Sequence, residues 1–381
     1  MKNIIGQSKK LNSSIYIIQS KIEKYMKKIL TIIGARPQFI KASAISRVIK
    51  ETDGIVEIIL HTGQHFDSNM SDVFFNQLNI PRPDVQLDIN GGSHGDMTGR
   101  MLIEIEKALL EYKPDRVLVY GDTNSTLAGA LAAAKLHIPV AHVEAGLRSF
   151  NMQMPEEINR ILTDQISDYL FCPTETAVDN LQNEGYSNKT VSVLNVGDVM
   201  QDCAFFFSKQ AVEPLLMPNV KEFILSTLHR AENTDDVVRL TSLVAALNNI
   251  HRNVAPVVLP LHPRTKSAIK KAGLKLDVYI IDPVGYFEML WLLDRCSLVV
   301  TDSGGVQKEA FFFRKACVTM RDQTEWVELV DAGVNELVGA NQLEMENSVK
   351  NNFGRIVSDK YEMYGGGKAA EKIVGILQDS F

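Results

Sequence analysis

The sequence has few cysteines, no excess of basic residues and no long apolar run. Its four cysteines, Cys172, Cys203, Cys296 and Cys317, form no C-x-x-C pair, which favours buried, reduced thiols in a cytoplasmic protein. The net charge of −6 argues against nucleic-acid binding, which usually needs a strongly basic surface. No apolar segment approaches the roughly 20 residues of a membrane-spanning helix. We therefore predict no nucleic-acid partner and no membrane insertion.

Metal and dinucleotide motifs are also missing. His, Cys, Asp and Glu residues do not recur at metal-ligand spacing, and the first predicted strand is not followed by G-x-G-x-x-G. We therefore predict neither a metal nor a cofactor. Arginines, histidine and helix ends are then the groups that balance the negative charge of any bound phosphate.

Short apolar runs alternate with amphipathic stretches of helical length from Lys28 onward. The strands predicted for a first domain are Ile29–Ile33, Val56–Leu60, Arg116–Tyr120, Val140–Val143, Tyr169–Cys172 and Val191–Val196. Those predicted for a second domain are Phe223–Thr227, Val257–Leu261, Tyr279–Ile281, Ser297–Val300 and Ala316–Met320. Nearly continuous Val, Ile and Leu is typical of strands buried on both faces. The fold class is therefore α/β, with two Rossmann-like doubly wound domains whose strand ends face a cleft.

The length of 381 residues fits two domains of ordinary size. We predict an N-terminal domain over residues 26–198 and a C-terminal domain over 199–363. Residues 364–381 contain a glycine-rich hinge and a helix that we expect to pack back across the domain junction. Residues 1–25 are expected to be disordered or a mispredicted start, because MKKILTIIGARP from Met26 is a natural beginning for a first strand.

The segment Gly34–Lys41 follows the first predicted strand and has the sequence GARPQFIK. A glycine at that point permits close approach of the backbone to a ligand, and the next helix favours an anion at its first turn. Arg36 and Lys41 are therefore candidate phosphate ligands. The alternative is an ordinary turn between a strand and a helix, with both charges in solvent.

Acidic residues follow later strands of the same domain. Asp122 lies in YGDTNS and either caps a helix or ionises at the edge of the cleft. Glu144 ends a buried strand in HVEAGLR, where a carboxylate is unfavourable unless it pairs with Arg148 or takes part in chemistry. Glu156 opens a helix together with Glu157, and the helix dipole alone accounts for acids in that position.

Two strands of the second domain end in histidine and arginine. His229, Arg230 and Glu232 lie in HRAEN after the first strand, and His262 lies in HPR after the next. Such side chains at a strand end suit charge stabilisation or proton transfer. A lone histidine is more often structural, but the whole cluster favours a functional role.

The sequence TDSGGVQKE follows a later strand and opens a helix. Ser303, Gly304 and Gly305 leave backbone N–H groups exposed at a positive helix end, which suits a diphosphate. Glu309 is placed to accept hydrogen bonds from ribose hydroxyls, and Arg321 adds a cation after the next strand. The alternative is a plain glycine-rich turn.

Seven motifs occur in one order along the chain: GARP-x-x-x-K, YGDTNST, HVEAGLRS, PEE-x-N-R, HRAEN, TDSGG-x-Q-x-E and MRD. In this the chain resembles the non-hydrolysing UDP-N-acetylglucosamine 2-epimerase family, from about Met26 to the C-terminus. The resemblance implies two Rossmann-like domains in the GT-B arrangement, a UDP-sugar substrate and a homodimer. The implied chemistry is anti elimination of UDP through a 2-acetamidoglucal, followed by re-addition with C2 inverted.

The resemblance also implies roles for individual residues. Those implied as catalytic are Asp122, Glu144, Glu156 and His229. Those implied as contacts of the UDP-sugar are Arg36, Lys41, Arg148, Arg230, Glu232, His262, Ser303, Gly304, Gly305, Glu309 and Arg321. Gln64 and His65 match residues near a second, regulatory nucleotide-sugar site of the family.

Departures from the family pattern bear on the substrate. Gln38 stands where family members for the unmodified sugar often have glutamate, and HTGQHFD and RSFNMQMPEE look like the branch acting on UDP-2,3-diacetamido-2,3-dideoxy-glucuronate. That branch supplies a sugar for surface polysaccharide, including lipopolysaccharide. The alternative substrate is UDP-N-acetylglucosamine. A hydrolysing epimerase, a retaining glycosyltransferase and a non-catalytic nucleotide-sugar sensor are the rival functions.

Overall fold

A computed structural model describes residues 26–64, 82–358 and 362–381. The extension expected over residues 1–25 lies outside the described residues. The chain divides into two compact units, of which the first ends at Val199 and includes Lys368–Phe381. The second unit is Met200–Gly367.

The first unit contains a parallel sheet in which the strands of the described residues have the order β3-β2-β1-β4-β5-β6-β7. These strands are β1 (Lys27–Ile33), β2 (Ile55–His61), β3 (Val85–Gln86), β4 (Arg116–Tyr120), β5 (Val140–Val143), β6 (Tyr169–Cys172) and β7 (Ser192–Asn195). The helices between them are α1 (Arg36–Lys50), α2 (His94–Tyr112), α3 (Asn124–Lys135), α4 (Pro155–Gln165) and α5 (Glu175–Asn183).

Small residues allow α3 to lie close to the sheet of the first unit. The alanines of α3, such as Ala128 and Ala132, are fully buried. A Cβ atom on Gly129 would lie only 2.7 Å from Cδ1 of Ile32 in β1. Interiors are close-packed, so a larger side chain at Gly129 would push the helix away from β1. Because α3 begins at Asn124, this packing also fixes the loop that carries Asp122.

The second unit repeats the architecture with a sheet whose described strands have the order β10-β9-β8-β11-β12-β13, all parallel. They are β8 (Ile224–Thr227), β9 (Val257–Pro260), β10 (Tyr279–Ile281), β11 (Leu298–Thr301), β12 (Cys317–Thr319) and β13 (Asn335–Leu337). The helices are α6 (Val199–Phe207), α7 (Ala231–Thr234), α8 (Val237–Asn253), α9 (Pro263–Lys271), α10 (Tyr286–Arg295), α11 (Gly304–Phe312), α12 (Val327–Asp331) and α13 (Gln342–Asn352).

The last helix, α14 (Ala369–Asp379), belongs to the first unit. Arg116, at the start of β4, donates to the hydroxyl of Ser380 at 2.7 Å and to its carbonyl at 3.0 Å. The Arg116 guanidinium also lies 4.4 Å from the ring centroid of Tyr169 and 4.6 Å from that of Phe381. These contacts hold the C-terminus of the chain against the amino ends of the strands.

The predicted fold class is confirmed, since each unit alternates strands and helices around a parallel sheet. Two short strands, β3 and β13, were not predicted, because two or three residues carry too little periodicity to be recognised. The predicted state of the cysteines is also confirmed, since all four are free and buried. No helix in the described part of the chain is long and apolar enough to cross a membrane.

Each sheet has one point at which the strand order reverses direction. In the first unit the point lies between β1 and β4, and in the second between β8 and β11. Doubly wound sheets bind ligands at the carboxyl ends of the strands beside such a point. The loops after these four strands contain Gly34, Asp122, His229 and Ser303, so the topology itself brings the motif residues of each unit together.

Candidate active site

Gln38 joins the loops after β1 and β4. Its side-chain oxygen accepts from the backbone N–H of Gly34 at 2.8 Å and of Ala35 at 3.0 Å, and its amide donates to the carbonyl of Tyr120 at 2.8 Å. A Cβ atom at Gly34 would lie 2.1 Å from the hydroxyl oxygen of Thr62. Glycine is therefore required there, and the two loops form one rigid platform.

Glu144 and Lys41 form an ion pair on this platform. Both side chains are 11% exposed, and Nζ of Lys41 contacts Oε2 of Glu144. The backbone of Glu144 has a φ of 73°, a left-handed conformation that is unfavourable for a residue other than glycine. Strain of this kind persists mainly at functional sites, where the surrounding structure enforces it. The cation seen in contact with this carboxylate is Lys41, whereas Arg148 donates to Asp164 and Glu184.

Asp122 is paired with an arginine from α4. The Nη2 atom of Arg160 lies 2.5 Å from Oδ2 of Asp122, and its Nη1 atom lies 2.5 Å from Oε2 of Glu157. Glu157 is buried and also accepts the backbone N–H groups of Ser149 and Phe150. Burial raises the pKa of Glu157, but the hydrogen bonds from Ser149 and the charge of Arg160 outweigh it, so the pKa is lowered.

The helix α4 also fixes the backbone of the Asp122 loop. The amide of Asn159 donates to the carbonyl of Asp122 at 2.9 Å and to the side chain of Asn124 at 3.2 Å. Glu156 is exposed in the first turn of the same helix. A Cβ atom on Gly121, the residue before Asp122, would lie 3.2 Å from Oε2 of Glu144. The structure therefore brings the loops of Asp122 and Glu144 together, and Glu156 is exposed.

Beneath these carboxylates lies a buried network around Asp164. One ring nitrogen of His142 lies 2.7 Å from Asp164, and the other lies 2.7 Å from the carbonyl of Gly121. Arg148 donates to Asp164 at 2.8 Å and to Glu184 at 2.6 Å. Burial raises the pKa of Asp164, but hydrogen bonds and charges of His142 and Arg148 outweigh it and hold the pKa low.

Arg148, predicted as a contact of the UDP-sugar, lies buried among acidic side chains. Its side chain is only 1% exposed, and both Asp164 and Glu184 are ion-paired with its guanidinium. A further N–H of the group is bonded to the carbonyl of Leu147. Arg148 therefore neutralises buried carboxylates and supports the loop after β5.

In the second unit, Asp302 organises the loop after β8. This fully buried carboxylate accepts the backbone N–H of His229 at 3.0 Å and of Arg230 at 2.9 Å. It also accepts the side-chain amide of Asn233 at 3.3 Å. The Nδ1 atom of His229 lies 3.3 Å from Asp302, while its side chain is 47% exposed. The histidine is thus oriented by a carboxylate and still open to a ligand.

The predicted diphosphate cradle forms the N-terminus of α11. Ser303 is the N-cap residue and makes no side-chain cap bond, and Gly304 and Gly305 start the helix. Gln307 and Trp326 hold this turn, since they donate to the carbonyls of Ser303 at 3.2 Å and of Gly304 at 3.0 Å. Backbone N–H groups at such a helix end favour an anion.

Arg321 lies close to this helix end and is paired with acids. Its Nη1 atom lies 2.9 Å from Glu325, and its Nε atom lies 3.9 Å from Glu232. Glu309 is buried within α11. His262 is exposed and caps α9, where its ring accepts from the backbone N–H of Arg264 at 3.3 Å. His262 therefore has a structural role as the N-cap of α9.

The remaining predicted residues lie at the edge of the first unit. Gln64 accepts from the backbone N–H of Ser125 at 3.0 Å and from its hydroxyl at 2.7 Å, so its oxygen supports the Asp122 loop. His65 lies outside the described residues, as does the side chain of Arg36. Among the described residues, no group of three or more His, Cys, Asp or Glu is placed to hold a metal ion.

Sequence reasoning missed the residues that position the others. Asp302 and Arg160 each connect two motifs that are far apart in the chain, and Asp164 connects α4 to HVEAGLRS. Asp302 and Arg160 lie within recognised motifs, but neither motif indicates which partner the residue takes. Buried charged residues beside strand ends were the available signal, since such groups need partners.

Two doubly wound units, one with paired carboxylates at its strand ends and one with an anion-binding helix end, define an α/β enzyme for an anionic substrate. The model of the UDP-N-acetylglucosamine 2-epimerase family matches residues 47–378. The chain is 67% identical over 350 residues to the UDP-2,3-diacetamido-2,3-dideoxy-D-glucuronate 2-epimerase of Pseudomonas aeruginosa, covering 92% of this chain and 99% of that one.

Solved structures agree with this match. The UDP-GlcNAc 2-epimerase of Methanocaldococcus jannaschii, in complex with UDP-GlcNAc and UDP, is 43% identical with a TM-score of 0.79, over 92% of this chain and 99% of that chain. The enzyme of Neisseria meningitidis bound to UDP-GlcNAc is 28% identical with a TM-score of 0.80, over 92% and 100%. The protein belongs to the UDP-N-acetylglucosamine 2-epimerase family, whose members are isomerases. The resemblance drawn from the seven motifs is confirmed.

Proposed function

We propose that this protein is a non-hydrolysing 2-epimerase that inverts C2 of UDP-2,3-diacetamido-2,3-dideoxy-glucuronate. The observation that carries the proposal is 67% identity, over 92% of the chain, to a relative named for that reaction. Identity to the UDP-N-acetylglucosamine 2-epimerases of two archaea is lower, at 44% and 43%. UDP-N-acetylglucosamine is therefore the second candidate substrate.

The second unit is proposed to hold the UDP moiety. A diphosphate carries charge that suits the N-terminus of α11, with Gly304 and Gly305 permitting close approach and Arg230 and Arg321 supplying cations. Glu309 is proposed to accept from the ribose hydroxyls. Negative charge on the diphosphate grows as the bond to C1 breaks, so these groups stabilise the transition state more than the bound substrate.

The first unit is proposed to supply the carboxylates that act at C2. In the elimination a carboxylate takes the C2 proton, the C–H electron pair forms the C1–C2 double bond, and the C1–O pair leaves with UDP. The return step delivers a proton to the opposite face of C2, while a diphosphate oxygen rebuilds the bond to C1. Removal on one face and delivery on the other need more than one acid or base.

The ion pairs of this unit support such a role for Asp122 and Glu144. Lys41 contacts Glu144 and Arg160 contacts Asp122, so each of these carboxylates lies beside a cation of its own unit. His229 is proposed to face the developing charge, because Asp302 orients it and its ring remains accessible. Glu156 is proposed as a further acid on the strength of its motif.

Product NMR with both candidate UDP-sugars tests the substrate. We expect the diacetamido uronate to give its manno epimer, with the UDP linkage retained and kcat/KM well above that for UDP-N-acetylglucosamine. The opposite preference would assign the second candidate. Release of free sugar and UDP would indicate a hydrolysing epimerase, and transfer to an acceptor would indicate a glycosyltransferase.

Further predictions concern the setting of the enzyme. Homodimeric assembly, a cytoplasmic location, a role in polysaccharide synthesis and a regulatory site at Gln64 and His65 are proposed from family resemblance. Sedimentation of the purified protein at several concentrations tests the dimer.

A further inference from the structure

A carboxylate of the protein itself lies at the N-terminus of α11. The Oε1 atom of Glu325 is so close to Gly304 that a Cβ atom there would lie only 2.2 Å from it. Its Oε2 atom accepts from Nη1 of Arg321 at 2.9 Å. The Nη2 atom of Arg230 lies 3.7 Å from the same Cβ position. Glu325 therefore lies among the groups that make this helix end attractive to an anion.

Residues on both sides of Glu325 fasten its loop to α11. The hydroxyl of Thr324 donates to the side chain of Gln307 at 2.7 Å, and the indole of Trp326 donates to the carbonyl of Gly304 at 3.0 Å. The backbone around Glu325 is thus anchored, and rotation of its side chain alone moves the carboxylate. The side chain is 21% exposed, so it has solvent to move into.

We infer that Glu325 competes with the diphosphate of the ligand for the N-terminus of α11 and for Arg321. The inference rests on the proposed function, since it takes this helix end as the UDP site. A carboxylate and a diphosphate oxygen seek the same N–H donors and the same guanidinium, and two anions there repel each other. The carboxylate must swing away when the diphosphate binds.

The competition weakens binding of UDP. A ligand that binds only one conformation has its apparent affinity reduced by the fraction of protein in that conformation. Replacing Glu325 with a neutral residue removes its repulsion of the diphosphate. It also weakens the hydrogen bond by which Arg321 holds this side chain. Loss of a residue that merely supports the fold, or that contacts the ligand, weakens binding, whereas loss of a competitor strengthens it.

The test is calorimetric titration of the full-length protein with UDP and, separately, with inorganic pyrophosphate. We expect Glu325→Gln to lower the Kd of each by about tenfold, roughly the effect of 1.4 kcal/mol. The matched control is Glu222→Gln, which removes the same charge from an exposed position just before β8 in the same unit. We expect it to change either Kd by less than about twofold, because exposed charges at a distance are screened.

The inference is overturned if Glu325→Gln binds UDP and pyrophosphate no more tightly than wild type while its melting temperature is unchanged. Glu325 would then be a residue that supports the fold or contacts the ligand. If that variant unfolds, Glu325→Asp decides, since a shorter carboxylate reaches Gly304 less well and should also bind more tightly. Wild-type protein that binds pyrophosphate but not UDP contradicts the proposed function. In that case the ratio of the Kd values for pyrophosphate of wild type and Glu325→Gln still tests whether Glu325 competes with a diphosphate.

Discussion

The two units share one architecture but treat charge at their strand ends in opposite ways. In the first unit, the carboxylates of Glu144 and Asp122 point onto the platform and each meets a cation. In the second unit, the carboxylate of Asp302 is fully buried and accepts backbone N–H groups from the loop that carries His229. One unit presents acids, and the other presents N–H donors and cations.

On the proposed function, the loops after the strands divide the chemistry between the units. Presented carboxylates with nearby cations suit proton transfer, and a helix end beside arginines suits a diphosphate. The fold alone specifies neither, because doubly wound sheets host many functions. A substitution that changes proton transfer without changing UDP binding, or the reverse, therefore tests this division between the units.

The largest effect is expected for Glu144→Gln. Removing a carboxylate proposed to act on the C2 proton should slow deuterium exchange at C2 by about a thousandfold, within the usual range for general bases. The Kd for UDP should stay within about twofold, since UDP is proposed to bind the second unit. NMR exchange and calorimetry measure the two effects. The control is Asp115→Asn, an acid at the opposite edge of the same sheet that is paired with Lys27.

An equal loss of exchange and of UDP binding in Glu144→Gln would break the comparison. It would mean that the carboxylate supports the whole fold and has no separate role in proton transfer.

The next effect concerns stability of the first unit. Arg148→Met leaves Asp164 buried without one of its cations, and removing one partner of a buried ion pair typically costs 3–5 kcal/mol of unfolding free energy. Urea denaturation measures it. Lys107→Met, which removes the exposed partner of Glu104 in the same unit, should cost about 1 kcal/mol or less. Unchanged stability with lost UDP binding would restore Arg148 as a nucleotide contact.

A smaller effect is expected for Asp302→Asn in the second unit. Asparagine keeps the shape of the side chain, but its hydrogen bonds with the N–H groups of His229 and Arg230 are weaker because it carries no charge. Its NH2 group must also face an N–H donor in the place of a carboxylate oxygen. We expect UDP to bind about tenfold more weakly, as calorimetry would show. Asp322→Asn is the control, because that side chain is 68% exposed. Unaltered UDP binding in Asp302→Asn would show that the loop needs no buried anchor.

An effect of comparable size is expected from a carboxylate outside both sites. Glu57 in β2 is hydrogen-bonded to Thr31, and burial raises its pKa from an ordinary 4.5 to about 7. The folded state therefore keeps a proton between pH 4.5 and 7 that the unfolded state has lost, so stability falls as the pH rises through this range. Glu57→Gln should remove about 2 kcal/mol of this fall between pH 5 and 8.

Urea denaturation of wild type and Glu57→Gln at both pH values measures the difference. Parallel stability curves would show that folding does not raise the pKa of Glu57.

Much of the fold was predictable because its signals are local. The strands β4 and β6 are continuous apolar runs, and their predicted bounds match the structure at every residue. Gly34 was recognised as a point of close approach, and a Cβ atom there would lie 2.1 Å from the hydroxyl oxygen of Thr62. The bounds of the two strands depend on neighbouring residues in the chain, which the sequence displays directly.

The site was predictable only in outline because ion pairs are not local. Nothing near Glu144 in the chain announces Lys41, which is 103 residues away, and nothing near Arg148 announces Glu184. The sequence therefore named Arg148 as a ligand contact, when packing of α4 and α5 had already supplied its partners. The roles of Asp122, Glu156 and His229 remain predictions until substrate is followed directly.

Deuterium at C2 tests the central claim most directly. Wild-type protein is incubated with UDP-2,3-diacetamido-2,3-dideoxy-glucuronate in deuterium oxide, and proton and carbon NMR follow C2 and the UDP linkage together. The account predicts deuterium at C2 of the manno epimer, with UDP still attached. Epimer without deuterium would contradict removal of the C2 proton by an exchanging acid–base residue. Absence of both epimer and exchange with either candidate sugar would contradict the 2-epimerase function itself.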